Sequence, residues 1–224
     1  MMLAVIGSIL PLALGIAISP IPIIAAILML LSPKARKTSV GFLVGWLLGI
    51  IVAVSVFTLL SSVIPESNAD ASQPIKGTIQ LILAVLLLLL AVKQWRSRPH
   101  GDEEPALPKW MQAIDSMTAG KGFGLGFLLA AVNPKNLLMG IAAGVSIGAA
   151  SLSVGEKIGV ILIFTVLAGC TVAVPVIAYL IAADKMASPL EKLRTWLVHN
   201  NATVMSVLLL VIGVVMIGKG FDSF

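Results

Sequence analysis

Twenty-nine consecutive residues, Leu3–Leu31, carry no charge, and neither do the twenty-five from Val40 to Ile64. A bilayer core takes about 20 apolar residues per helix, and inside it every backbone N–H and C=O must be paired within the chain. Runs of this length and composition therefore specify membrane helices. Two of those helices are interrupted. Ser19-Pro20-Ile21-Pro22 lies inside the first apolar run and Asn133-Pro134-Lys135-Asn136 inside the fourth. Proline has no N–H for the helical ladder and its ring clashes with the preceding turn, so each motif predicts a broken span.

Six spans fit the sequence: Leu3–Leu31, Val40–Ile64, Ile75–Trp95, Lys121–Gly148, Gly155–Ala183 and Ala202–Gly218. Only 11% of the 224 residues are charged, against about 25% in ordinary soluble domains. The basic residues sort by side. Lys34, Arg36, Lys37, Lys93, Arg96, Arg98, Lys109, Lys121, Lys185, Lys192 and Arg194 share one face, and Lys76, Lys157 and Lys219 the other. The positive-inside rule puts the larger group in the cytoplasm and both termini outside. The start, Met1–Leu14, lacks a basic n-region and a cleavage pattern, so the first span is expected in the mature chain. Two amphipathic surface helices are expected on the cytoplasmic side. One carries Leu107, Trp110, Met111, Ile114 and Met117; the other starts at Ser188-Pro189-Leu190-Glu191.

The chain repeats itself. Displaced by 114 residues, Leu12–Leu48 matches the second half at 11 of 37 positions without a gap, pairing Pro20 with Pro134 and Gly41 and Gly45 with Gly155 and Gly159. Three spans per half is an odd number, so the second copy enters the membrane from the opposite side. The expected fold is thus all-α, with six transmembrane helices in two inverted three-helix repeats (1–95 and 121–224), joined by a cytoplasmic linker at 96–120. Such a plan places paired broken helices around a substrate near the midplane.

The breaks suggest a site. Lys135 lies fourteen residues beyond Lys121, about 21 Å along the helix, and an ionisable group at that depth marks a substrate or ion pathway by default. Ser19 and Asn133 are good N-cap types for the restarting half-helices, whose N-termini carry partial positive charge. Ser19, Pro20, Pro22, Asn133, Pro134, Lys135 and Asn136 are the candidate substrate-binding residues, with an anionic headgroup or carboxylate as the ligand. For Lys135 the competing reading is structural: its ammonium bonds carbonyls freed by the break and locks the kink. For Ser19 and Asn133 it is capping alone.

Absences narrow the function. No Asp or Glu lies deep in a span, which disfavours divalent-cation transport. The single Cys170 and the distant His100 and His199 offer no metal or redox spacing, and no nucleophile–base pair or phosphate loop points to an enzyme. No cofactor, metal or nucleic acid is expected.

The run Asn133–Leu138, the two proline breaks and the repeat resemble the lysine-exporter (LysE) superfamily. The segments Ile18–Ile23, Ser32–Arg36 and Gly41–Gly49 are similar to its GAP branch, the glycopeptidolipid- and sulfolipid-addressing proteins of actinobacteria. The resemblance implies a homodimeric plasma-membrane exporter. The disulfide-transfer branch carries cysteines at the breaks, where Ser19 and Asn133 stand here. Three functions stay open: export or flipping of an anionic envelope lipid or precursor, export of a small carboxylate-bearing solute such as an amino acid, and a non-transporting role beside envelope-lipid synthesis.

Overall fold

A computed structural model describes residues 1–62, 74–98, 114 and 117–223. Among these there are seven helices and no strand: α1 (Met2–Ala17), α2 (Pro20–Leu30), α3 (Ala35–Ser62), α4 (Pro74–Arg96), α5 (Ala119–Ala131), α6 (Pro134–Gly148) and α7 (Val154–Phe221). Three stretches, Ala35–Ser61, Gly77–Arg96 and Val154–Phe221, are long and apolar enough to cross a membrane, and five are if each bent pair is one span. The bent pairs are the two that proline predicts. α1 and α2 meet at 50°, and α5 and α6 at 61°.

At 68 residues α7 would be about 100 Å long if straight, three times a bilayer core. It is not straight: Ala182, at φ −143° and ψ 59°, leaves the helical region. Contacts with α1 show what happens there. Before the break the order rises, with Met2 near Gly159 and the Ala17 carbonyl bonded by Thr171. After it the order falls, with Ser8 bonded by Lys219 and Gly15 facing Ile212. The two legs of α7 therefore run in opposite directions. The second leg also runs against α4, since Gly213 abuts Leu88 and Gly220 abuts Leu81.

This corrects one sequence expectation. No surface helix starts at Ser188; α7 continues through Ser188 and Pro189, and the break lies upstream. Pro189 falls in the second turn after Ala182, where the missing N–H removes one ladder bond without ending the helix. The span read as starting at Gly155 begins instead at Val154, behind a capping box in which Ser153 and Glu156 bond each other's backbone N–H. Most of the 96–120 linker and of its amphipathic segment lies outside the described residues.

The remaining directions follow from glycines. Gly41, Gly45 and Gly49 of α3 face Ala119, Phe123 and Phe127 of α5 in rising order, and Gly140, Gly144 and Gly148 of α6 face Ala53, Thr58 and Ser61. So α3, α5 and α6 are parallel. α3 opposes the first leg of α7, because Arg36 bonds the Leu180 carbonyl while Leu47 packs on Gly169. Small residues four apart let the backbones of α3 and α5 touch. A Cβ on Gly45 would run into the Phe123 carbonyl, and one on Gly126 into that of Phe42.

The half-helices after the breaks form the centre. Nine of eleven residues of α2 and eleven of fifteen of α6 are buried, against three of thirteen in α5. The half-helices α2 and α6 thus face protein, while Ile18 and Val132 at the breaks are exposed.

Gly45→Leu overpacks the α3–α5 contact and is expected to cost about 1–3 kcal/mol. Thermal unfolding in detergent reads this, with Gly124→Leu as the neutral control, because open space surrounds Gly124.

Candidate functional site

A broken helix leaves carbonyls without partners, and in a membrane each must find one. At the first break the Ile18 N–H still reaches Leu14, at 2.8 Å. The Ser19 N–H, which a continuing helix would send to Gly15, turns to Ile16 at 3.1 Å, and Pro20 has none to give. Gly15 and Ala17 are left over. Thr171 Oγ1 donates to the Ala17 carbonyl, and Lys135 Nζ donates to that of Gly15 at 2.6 Å. At the second break the N–H groups of Val132 and Asn133 both point to Leu128, at 2.9 and 3.2 Å, which frees Leu129. Asn136 Nδ2 donates to the Leu129 carbonyl at 2.9 Å.

Gly15 and Leu129 are equivalent positions in the 114-residue repeat. The same carbonyl is freed twice and satisfied in two ways: locally by Asn136, and across the molecule by Lys135. The reason lies in the sequence, because Pro22 stands in the first half where Asn136 stands in the second.

Lys135 is buried, yet an ammonium has three protons to place. One goes to Gly15, a second faces Met205 Sδ at 3.8 Å, and the head lines a cavity of about 240 Å³. The C-terminus of α1, the negative end of its dipole, sits against the cation and holds it in place.

The cavity brings Ser19, Asn133, Pro134 and Lys135 together, as the sequence suggests. It does not include Pro20, Pro22 or Asn136. Both prolines are buried, and Asn136 is committed to Leu129 through Nδ2, while its buried Oδ1 lacks a hydrogen-bond partner. Asn133 caps α6 through its side chain, accepting from the Lys135 N–H at 3.1 Å. Ser19 makes no side-chain cap bond. Prolines at the first and third positions of α2 withhold two of the N–H donors a cap or an anion would use, so the positive character of the cavity rests on side chains.

Sequence reasoning missed the far wall. Lys93, Gln94 and Ser97, in and just after the last turn of α4, line the cavity with Met205 and Leu209 of α7. Lys93 is read from sequence as one more loop-flanking base; it is exposed, and the packing of α4 against α7 puts it on the rim of the cavity. Among the described residues two lysines and no carboxylate line the cavity, so this lining favours an anion. Beside it, sharing Leu90, Lys93 and Pro134, lies an apolar groove of about 440 Å³ between α4 and the second break. Its walls include Leu86, Leu89 and Val132, all exposed on the apolar surface.

Residues 9–222 match the family model described as Sap, sulfolipid-1-addressing protein. The chain belongs to the sulfolipid-1-addressing protein family. The match covers both breaks and every residue of the cavity. No curated protein and no solved structure matches the chain. Within this family member, then, the paired breaks are the feature that carries buried charge, and no cluster of His, Cys, Asp or Glu able to hold a metal occurs among the described residues.

Asn136→Leu is expected to destabilise the protein by about 1–3 kcal/mol, since it leaves the Leu129 carbonyl unpaired. Ser19→Ala, which removes no cap bond, should stay within about 0.5 kcal/mol of the parent. Unfolding midpoints of the two variants in one detergent test the contrast.

Proposed function

We propose that this protein exports or flips an anionic cell-envelope lipid or lipid precursor through the cavity at the paired helix breaks. The observation that carries the reading is the junction of a cationic chamber with an apolar groove. An amphipathic ligand has one end for each: the headgroup meets Lys135, Lys93, Asn133 and Ser19, while an acyl chain lies along Leu86, Leu89 and Val132. A small solute would need the chamber alone. The family description, which names a sulfolipid, supports the same class of substrate.

The transport plan is six spans in two inverted repeats, of the lysine-exporter superfamily type. Three findings support it: the equivalent breaks, the reversal of α7 at Ala182, and the opposed directions of α1 and α3 implied by their contacts with α7. With the basic loops in the cytoplasm, both termini lie outside and the chamber meets the cytoplasmic end of α4. The protein works as a plasma-membrane homodimer, without cofactor, metal or catalytic step.

Lys135 serves in both roles that sequence left open. Its bond to Gly15 fixes the break, and its remaining donor capacity binds the headgroup. A bound anion shares the ammonium with α1, which ties occupancy to the position of that helix.

Proteoliposomes holding an acyl-labelled fluorescent phosphatidylglycerol test the reading, with dithionite reporting the exposed leaflet and a proton gradient imposed in half the samples. Translocation should exceed that of protein-free vesicles. Lys135→Gln should lower it at least tenfold, and Val132→Trp, which fills the groove, should slow it severalfold. Wild-type rates in a folded Lys135→Gln protein would sink the headgroup role. Efflux of a labelled amino acid without lipid movement would establish the small-solute alternative, and movement of neither would favour the accessory one.

A further inference from the structure

Two lysines bond carbonyls of the same helix. Lys135 Nζ donates to Gly15 and Lys219 Nζ to Ser8, both on α1. Seven residues make two turns, so the two carbonyls lie on one face of α1, about 10 Å apart along its axis. The stretch between them is closed. A Cβ on Gly15 would meet Ile212 and Met139, and Leu12, on the same face, is buried.

Beyond this plug lies a separate cavity of about 300 Å³, lined by Ser8, Gln80, Ser146, Lys219, Asp222 and Ser223. It is a built polar site: Gln80 is 2% exposed, and its Oε1 accepts from Ser223 Oγ at 3.2 Å. α4 enters the first chamber with its last turn, at Lys93, and this one thirteen residues earlier, at Gln80, about 20 Å away.

We infer that this cavity is a second, outer binding station for the anionic headgroup, with Lys219 as its cation. The inference rests on the transport reading above. Ser8, Ser223 and Gln80 line the same cavity as Lys219, and such polar groups suit a headgroup that carries hydroxyls as well as negative charge. Asp222 stands on the same wall and opposes an anion. Among the described residues the inner chamber has two lysines and no carboxylate, and the outer one has one lysine and one carboxylate. The outer station therefore binds the same group more weakly, the order that release outward requires.

The test reads binding rather than transport. Ala4 is an exposed residue on the rim of the outer cavity. An Ala4→Cys protein in a Cys170→Ala background, reconstituted in vesicles, is labelled from outside by a membrane-impermeant maleimide. Dihexanoyl phosphatidylglycerol is the probe and dihexanoyl phosphatidylcholine the zwitterionic control. The anionic lipid should slow labelling at least threefold and the control should not. Lys219→Gln should abolish the protection, Lys135→Gln should leave it, and Asp222→Asn should deepen it. Equal labelling with and without the probe, or protection that survives Lys219→Gln, overturns the outer station. Should Lys219→Gln fail to fold, Asp222→Asn decides: unchanged protection there overturns it as well. Protection in a protein that moves no lipid counts against transport and leaves the station standing. Translocation without protection removes the station alone.

Discussion

The bond between the Lys135 ammonium and the Gly15 carbonyl holds the two halves of this protein to one geometry. Each half breaks its first span at proline, and each break frees the carbonyl at the same repeat position, Gly15 or Leu129. Burying such a group unpaired costs about 1–3 kcal/mol by mutational measure and more in hydrocarbon. The second half solves this locally with the Asn136 amide. The first half has Pro22 at that position and no side chain to offer. Its carbonyl is satisfied from the other half, across 120 residues of sequence. Neither break is therefore stable in the observed form without α6.

That arrangement explains how a cation can be kept inside a membrane protein without a carboxylate partner. Charge buried alone would be costly, but Lys135 meets a carbonyl at the negative end of α1, a thioether and a polar cavity. Among the described residues the cation is held by backbone and not by a counter-ion, so their lining of the cavity stays net positive. A carboxylate in place of the Gly15 carbonyl would neutralise Lys135 and leave only Lys93 to favour an anion there. Because one proton of the ammonium goes to Gly15 while the head still lines the cavity, the structural reading of Lys135 and the proposed binding role do not compete.

Much of this was legible in the sequence, and the failures have physical causes. Proline at 20 and 134 gave the breaks because its effect is local and strong. Asn133 as a cap was legible for the same reason. Ser19 was misjudged although the signal was present: Pro20 and Pro22 remove the donors that a cap at Ser19 would serve. The expected end of the fifth span at Ala183 falls beside the break at Ala182, but the Ser188-Pro189 start signal places the next helix several residues too late. The partner of Gly15 and the place of Lys93 on the cavity rim depend on which helices pack together, and neither propensity nor periodicity encodes that in a short window.

The repeat is also unequal in a way that sequence identity hides. Gly41 and Gly45 press on the α5 backbone so closely that no Cβ fits, whereas their counterparts in the second half are loose: open space surrounds Gly155, and Gly159 has only the end of Met2 within 4 Å. Identical residues in equivalent positions thus make a tight contact at the α3–α5 interface and a slack one at the α1–α7 interface. A static scaffold built from two copies has no need of that difference. The transport plan proposed above accounts for it: in an inverted-repeat carrier the two end states exchange the conformations of the halves, so any single state shows them unlike. The glycines suit both roles: without side chains, the α1–α7 interface can close to the distance that α3 and α5 already hold, and the α3–α5 interface can open without stranding a side chain in lipid.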